Sequence, residues 1–552
     1  MDNIPFNSGL ILVSLVMSTT ATATAAPLFT DISHVVEFSP ATSPWPAGSY
    51  AVPEITGGGV ALFDFDNDSD LDLLQILFPP PNAPDTPAPN RLFAQEADGR
   101  FVEEIDAGLN DSGYGQGCAV GDADNDGDLD VFFANFGANT FYRNNGNGRF
   151  TEITEQIGIQ GKEWSTSAAF VDIDRDGALD LYVVNYVKYD PTIECRGDNS
   201  TPDFCGPGTF APTMDNLYRN KGDGTFSDIS TSVGINAPGK GLGVVTADFS
   251  GDGWADLYIA NDGEVNQLWI NDGNGSFADE AILRGAGFNI YGQPEASMGV
   301  VVGDANGDGY LDIFTTHLRQ ETNTLYLSDE YGMFADGSDA AGFGRIDLPY
   351  TGFGCGFFDY DHDGDLDLAV ANGRVKRGPL LPNENLDPFW APYAEPNLLL
   401  ENDGSGNYTN ISAKAGAFGS QLEVSRGLAF GDLDRDGDID LVVGNIGGPP
   451  QVFRNDAPKN GNHWLSVRTL TGGRDAIGAV LSLFAKDKRF RRTMQPGYSY
   501  ASSSELRTHF GLGAIGQIDS IAVSWPDGSN EIFTNNGIDQ FLTLVKGEGK
   551  PR

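Results

Sequence analysis

The stretch Asp122–Asp130 reads D-A-D-N-D-G-D-L-D, with a carboxylate at every odd position and a glycine at the sixth. Unit charges about 4 Å apart repel by about 4 kcal/mol at an effective dielectric of about 20, so such a loop needs a cation among its aspartates. Oxygen ligands with no His or Cys suit a hard ion, and calcium accepts about six to eight oxygens in flexible geometry. Side chains at positions one, three and five wrap the ion, and Gly127 permits the sharp turn. The carbonyl of position seven and the carboxylate of position nine complete the shell. An EF-hand would place Glu at position twelve between two helices. Here position twelve is Phe133, and Cys118–Val120 and Val131–Ala134 read as buried strands. The loop therefore joins two strands of a hairpin. A single copy could be an acidic solvated turn; repetition argues for metal.

The design recurs at seven places. Five copies carry Asp at positions one, three, five and nine: Asp64, Asp66, Asp68 and Asp72; Asp122, Asp124, Asp126 and Asp130; Asp172, Asp174, Asp176 and Asp180; Asp359, Asp361, Asp363 and Asp367; Asp432, Asp434, Asp436 and Asp440. The fourth copy holds Asp248, Ser250, Asp252 and Asp256, and the fifth Asp304, Asn306, Asp308 and Asp312. Backbone carbonyls of Asp70, Asp128, Ala178, Trp254, Tyr310, Asp365 and Asp438 are the seventh-position ligands. Up to seven calcium ions follow. The fourth and fifth loops, weakened at position three, and the first, where Ser69 replaces the turn glycine, are expected to be weaker or less regular.

One frame surrounds each loop. A small-residue strand precedes it, as in Ser425–Gly431, and an apolar strand follows, in most copies ending in Asn. Next come a strand of the type N-x-L-Y-x-N, as in Asn216–Asn220, a G-D-G or G-N-G turn, and F-x-D-I, as in Phe226–Ile229. Four short strands per repeat with tight glycine turns are the pattern of a propeller blade. The first F-x-D-I strand, Phe29–Ile32, precedes any acidic loop, and the last unit stops after Gln451–Asn455 without one. The N-terminal strand is therefore expected to complete the last blade of a seven-bladed β-propeller, leaving no open edge.

At this point the residues resemble a known family. The D-x-D-x-D-G-x-x-D loops are similar to FG-GAP/VCBS repeats, the calcium-bearing blades also found in integrin α-subunits. Asn462–Leu465 (N-H-W-L), Arg474–Val480 (R-D-A-I-G-A-V), Thr508–Gly513 (T-H-F-G-L-G) and Trp525–Gly528 (W-P-D-G) resemble the ASPIC/UnbV domain. Together they resemble the cartilage acidic protein family and its bacterial relatives. The resemblance implies fold, calcium and secretion, and implies little about molecular function.

The expected organisation is all-β: a signal peptide over 1–26, a propeller over 27–457, and a small β domain of sandwich type over 458–552. Leu10–Met17 is the apolar run of the signal and Ala23-Thr24-Ala25 an A-x-A cleavage site, although Asp2 precedes it and no Lys or Arg does. No later stretch reaches the ~20 apolar residues of a membrane span. The net charge of −45 argues against nucleic acid and anionic membranes as partners. Of 78 acidic residues, 30 stand in the seven loops. In an exported protein Cys195 and Cys205 are expected to form a disulfide, and Cys118 and Cys355 to be small core residues.

Long insertions separate the second and third strands of three units: Phe78–Pro89, Tyr186–Asp215 and Gly373–Pro396. Successive turns of a blade alternate between faces, so these and Ser33–Thr56 gather opposite the acidic loops. Trp45, Tyr50, Phe389, Trp390 and Tyr393 are the candidate ligand face, because long loops on a rigid scaffold carry function. The competing view is that they merely cover the central channel. From Lys459 onward the chain has 12 Lys and Arg against 8 Asp and Glu. Its basic cluster, Lys486, Lys488, Arg489, Arg491 and Arg492, is expected to dock on the propeller or be solvated. His362, at position four of its loop, is expected to face solvent.

No G-x-S-x-G, H-E-x-x-H or P-loop appears, and the paired carboxylates are committed to metal. The sequence therefore points to a secreted calcium-binding adhesion module for an extracellular protein or glycan. The rival is an enzyme or biosynthetic accessory protein acting on a polysaccharide or small molecule at the propeller face.

Overall fold

The computed structural model describes residues 26–37, 49–79, 88–197, 200–382, 386–534 and 537–552. Trp45, all of the leader except Ala26, and most of the Phe78–Pro89 insertion lie outside the described residues. Seven antiparallel four-strand units repeat one order, each strand pairing with the next. Their innermost strands are Val60–Phe63, Gly115–Gly121, Ser165–Val171, Gly241–Ala247, Val300–Gly303, Gly352–Phe358 and Ser425–Gly431. These pack side by side in that cyclic order, the last against the first. We number the blades one to seven accordingly. Phe29–Asp31 is the outer strand of blade seven, pairing Phe29 with Asn455 and Asp31 with Phe453. Phe29 is buried against Phe358 and Phe418, so apolar packing as well as the ladder holds the junction. No helix among the described residues is long and apolar enough to cross a membrane.

The C-terminal residues form two sheets. One joins His463–Thr471, Thr508–Gly513 and Phe541–Val545; the other is built around Val480–Ala485, Lys488–Thr493, Ser520–Ser524 and Asn530–Thr534. Leu465, Val467 and Phe510 from the first share a buried cluster with Leu481, Leu483, Ile521 and Val523 from the second.

A hairpin between these sheets, Gly497–Tyr498 with Ser502–Ser503, enters the central channel of the propeller. Ser499 exchanges both backbone hydrogen bonds with Val300 of blade five, at 2.7 and 3.0 Å. Its Oγ accepts the Cys355 N–H of blade six at 3.0 Å. The Ala501 N–H reaches Ser167 Oγ of blade three, and Ser503 lies parallel to Ala61 of blade one. At the far end the Tyr500 hydroxyl donates to the Thr56 carbonyl at 2.6 Å, and its ring packs on Phe353. The inner strands need small residues for this reason. A Cβ on Gly117 would stand 2.8 Å from Ala501 Cα, closer than such atoms approach.

Candidate metal centres

Each acidic loop bends through two left-handed residues, at positions four and six. In the loop at Asp122 these are Asn125 (φ 63°) and Gly127 (φ 96°); in the first loop Ser69 adopts φ 79° in place of glycine. The fold of the loop is then set by its own carboxylates. In all seven copies position one accepts the N–H of position six, as Gly127 to Asp122 at 2.8 Å and Ser69 to Asp64 at 3.0 Å. In all seven, position five caps the N–H of position seven, as Asp128 to Asp126 at 3.0 Å.

Position nine ties the loop to its blade. Asp130 accepts the Ala123 N–H with one oxygen at 3.0 Å and the Asn144 N–H with the other at 2.9 Å. Both bonds recur in the other six units, for example at Asp180 and Asp440.

The residue reached on the third strand makes a further bond between blades. Asn144 Nδ2 donates to the Phe65 carbonyl of the preceding blade at 2.7 Å, Asn220 to Ala123 at 2.7 Å, and Asn271 to Ile173 at 2.9 Å. Asn402 and Asn455 repeat the contact to Ala305 and Tyr360. Gln95 closes the ring on Leu433 of blade seven at 2.8 Å. Blade five carries Ser328 at this place, and its hydroxyl has no partner. The closing Asn of the N-x-L-Y-x-N motif was visible as a repeat in the sequence; its reach across the blade seam was not.

Carboxylate oxygens of positions one, three and nine converge within 4.8 Å of one another in five loops: Asp64, Asp66 and Asp72; Asp122, Asp124 and Asp130; Asp172, Asp174 and Asp180; Asp359, Asp361 and Asp367; Asp432, Asp434 and Asp440. These groups could hold metal ions. The remaining two loops are those with Ser250 and Asn306. Burial pushes the carboxyls of Asp72 and Asp180 up to about 8 and that of Asp122 up to about 6, with neighbouring aspartates adding to the rise. One oxygen each of Asp64, Asp172 and Asp304 is buried without a hydrogen-bond partner. Orphaned acceptors beside mutually repelling carboxylates are what a cation would satisfy, so the donor set fits a hard ion.

The C-terminal domain sits on this face. His362 is 1 % exposed, which corrects the expectation that it faces solvent. Its Nε2 lies 3.1 Å from the Gly437 carbonyl and 3.1 Å from Asp438 Oδ1, and its ring 5.0 Å from that of His509. Lys459 pairs with Asp438 at 2.9 Å. Of the basic cluster, Arg491 donates to the Gly309 carbonyl at 3.3 Å, while Arg492 is held below its usual range by burial despite the attraction of Asp359 and Asp304. The cluster therefore includes residues docked on the acidic loops. Sequence patterning could not place the channel hairpin, whose Q-P-G-Y-S-Y-A-S-S-S has no alternation; its run of small residues was the available signal.

On the opposite face the insertions pack together. Trp390 is 2 % and Tyr393 0 % exposed, in one buried cluster with Phe204, Phe353 and Tyr500, which corrects their placement on an open ligand face. The Tyr393 hydroxyl donates to Asp203 at 2.7 Å. Tyr50 and Phe389 are half-buried at the edge of this cluster, with ring centres 5.4 Å apart. Cys195 and Cys205 form a disulfide with Cα atoms 5.1 Å apart; Cys118 and Cys355 are free and buried. Arg426 is wholly buried, its guanidinium 3.9 Å from the Phe353 ring centre and bonded to the Ile55 and Gly373 carbonyls.

A model described as FG-GAP-like repeat matches residues 64–133, 122–183, 205–259, 248–315 and 304–370, and one described as ASPIC and UnbV matches 470–551. Cartilage acidic protein 1 of Xenopus tropicalis is 25% identical over 517 residues, 87% of this chain and 71% of the relative. The Mus musculus protein of that name is 26% identical over 546 residues, covering 91% and 74%. Among solved structures, the lectin BP39L from Burkholderia pseudomallei aligns with 73% of this chain and 97% of its own at 11% identity and a TM-score of 0.44, too distant to carry an argument. With the repeat matches together covering more than half of its length, the chain belongs to the FG-GAP-like repeat family and ends in an ASPIC and UnbV domain.

Proposed function

We propose that this is a secreted calcium-binding protein that acts as an adhesion or binding module in an extracellular setting, with up to seven ions in its acidic loops. The observation that carries the reading is the convergence of three carboxylates in each of five loops, with orphaned oxygens at Asp64, Asp172 and Asp304. The side chains at positions one, three, five and nine, all aspartates except Ser250 and Asn306, hold each ion, and the ion would offset the repulsion among the carboxylates. The disulfide and the relationship to cartilage acidic protein 1 support an oxidising compartment. The ligand surface is the insertion face around Tyr50 and Phe389, where aromatic rings remain half-buried on a rigid scaffold. Its partner is an extracellular protein or a glycan.

Elemental analysis of dialysed protein tests the metal, and binding to an array of extracellular proteins and glycans tests the ligand. The reading expects calcium, last filled at Asp248 and Asp304, and a partner lost in the variant carrying Tyr50→Ser with Phe389→Ser. Protein that takes up no calcium on dialysis against millimolar calcium and is inert on the array would refute it.

A further inference from the structure

The C-terminal domain leaves a cleft of about 620 Å3 above the loop beginning at Asp248. Its floor is that loop with Tyr310 of blade five, and its roof carries Ser482, Arg489 and Arg491. Two departures from the repeat meet here. Ser250 stands where five of the loops carry Asp at position three, and Ser328, in the cleft wall, stands where the other blades place the Asn or Gln that latches them to a neighbour. The Ser328 hydroxyl is buried without a partner, and so is Arg491 Nε.

The arginines are unusual for a chain of net charge −45. Arg489 donates to Ser482 Oγ at 3.1 Å and Arg491 to the Gly309 carbonyl at 3.3 Å; among the described residues neither forms an ion pair with a carboxylate. The carboxylates acting on Arg491 are Asp248 and Asp304, the first positions of the two loops beneath it. Guanidinium groups with unfilled donors in a half-enclosed site suit a carboxylate or a sulfate. The walls are glycine backbone, hydroxyls such as Ser250 and Ser524, and apolar side chains such as Val480 and Trp525. Asp172, Asp248, Asp252, Asp329 and Glu330 also line the cleft, beside Arg175 and Arg552, and Tyr310 is 37 % exposed. Hydroxyl-rich walls, an aromatic face and a volume in the range of about 300–1,000 Å3 suit a sugar better than an apolar peptide side chain.

We propose that this cleft binds an anionic saccharide of one or two rings, its acidic group held by Arg489 and Arg491 and its ring by Tyr310. The site lies on the acidic-loop face, apart from the insertion face, and stands or falls separately from the reading above.

Calorimetric titration of the full-length protein in millimolar calcium tests it. The probes are a disaccharide containing hexuronate, an O-sulfated disaccharide, their neutral parent, and an acidic peptide of equal charge. The cleft is expected to bind at least one anionic sugar and not the parent, and the two anionic arms tell which acid it takes. Arg489→Gln, which gives up the Ser482 bond and the contact with the Phe484 ring, should weaken binding roughly tenfold with little change in melting temperature. Tyr310→Ala, on the exposed wall, should also weaken it and serves if the arginine variant fails to fold. Tyr291→Ala, exposed and outside the cleft, should leave the titration unchanged. Absence of binding by both anionic sugars up to about 10 mM overturns the proposal. So do titrations indifferent to both cleft variants, or tighter binding of the peptide.

Discussion

Gln95 Nε2 donates to the Leu433 carbonyl at 2.8 Å, joining blade one to blade seven across 338 residues of chain. With the Phe29–Asp31 strand it makes two independent closures of the ring, one at the acidic-loop face and one at the outer edge of blade seven. The same amide contact at Asn144, Asn220, Asn271, Asn402 and Asn455 makes blade seams a repeated feature rather than a consequence of packing alone.

Removing one latch is expected to cost stability locally and measurably. Asn220→Ala withdraws the donor from the Ala123 and Leu179 carbonyls, which are buried at the seam. An unsatisfied buried acceptor costs about 1–3 kcal/mol, so the urea midpoint should fall. Asn145→Ala, one position past the latch of blade two and exposed, should change it by less than about 0.5 kcal/mol. Equal effects of the two would show that the amides add nothing to their seams.

The channel hairpin predicts that the two domains unfold together. Tyr500→Ala removes the ring from Phe353 and the hydroxyl from Thr56, and should destabilise the protein by about 3–5 kcal/mol, while Tyr500→Phe loses only the hydrogen bond, about 1–2 kcal/mol. Fluorescence and calorimetric unfolding should coincide in the wild type. Separate transitions with a propeller indifferent to Tyr500→Ala would mean that the hairpin is a passenger.

Asp215 and Asp262 make stability depend on pH outside the acidic loops. Burial raises both carboxyls to about 7, even though Tyr182 and Tyr186 donate to them. A carboxyl whose folded value lies above its unfolded one of about 4 contributes stability that is complete below about pH 4 and lost as pH rises through about 7. At saturating calcium, the fall in melting temperature between pH 5 and 8 should be smaller in the variant with Asp215→Asn and Asp262→Asn than in the wild type. An identical pH dependence would place the titration elsewhere.

Much of the fold was legible because the acidic loop repeats within the chain, so each copy interprets the others. The N-terminal closure was legible for the same reason, since Phe29–Ile32 had no loop of its own. What escaped was long-range and carried no periodicity. His362 has the composition of a surface residue, and the neighbouring loop of blade seven together with the docked C-terminal domain buries it. Trp390 and Tyr393 are aromatic in a loop, which suits a ligand site and a plug equally; packing against Phe204 and Tyr500 decided for the plug. The channel hairpin reads locally as a polar loop, because most of its partners are backbone groups on separate blades, such as Val300, Cys355 and Ala61, and no periodic side-chain pattern encodes them.

The most direct test is the melting temperature of the full-length protein in millimolar calcium and in excess EDTA. At ten times its dissociation constant each ion contributes about 1.4 kcal/mol, and seven would contribute roughly 10 kcal/mol, comparable to the stability of a typical domain. Removing them also leaves converging aspartates such as Asp122, Asp124 and Asp130 without a counter-charge. The account predicts that EDTA lowers the melting temperature by tens of degrees, that calcium restores it, and that magnesium restores it poorly because it prefers octahedral geometry and keeps its waters. Melting at the same temperature in EDTA and in calcium would contradict it, and the acidic loops would then be solvated turns.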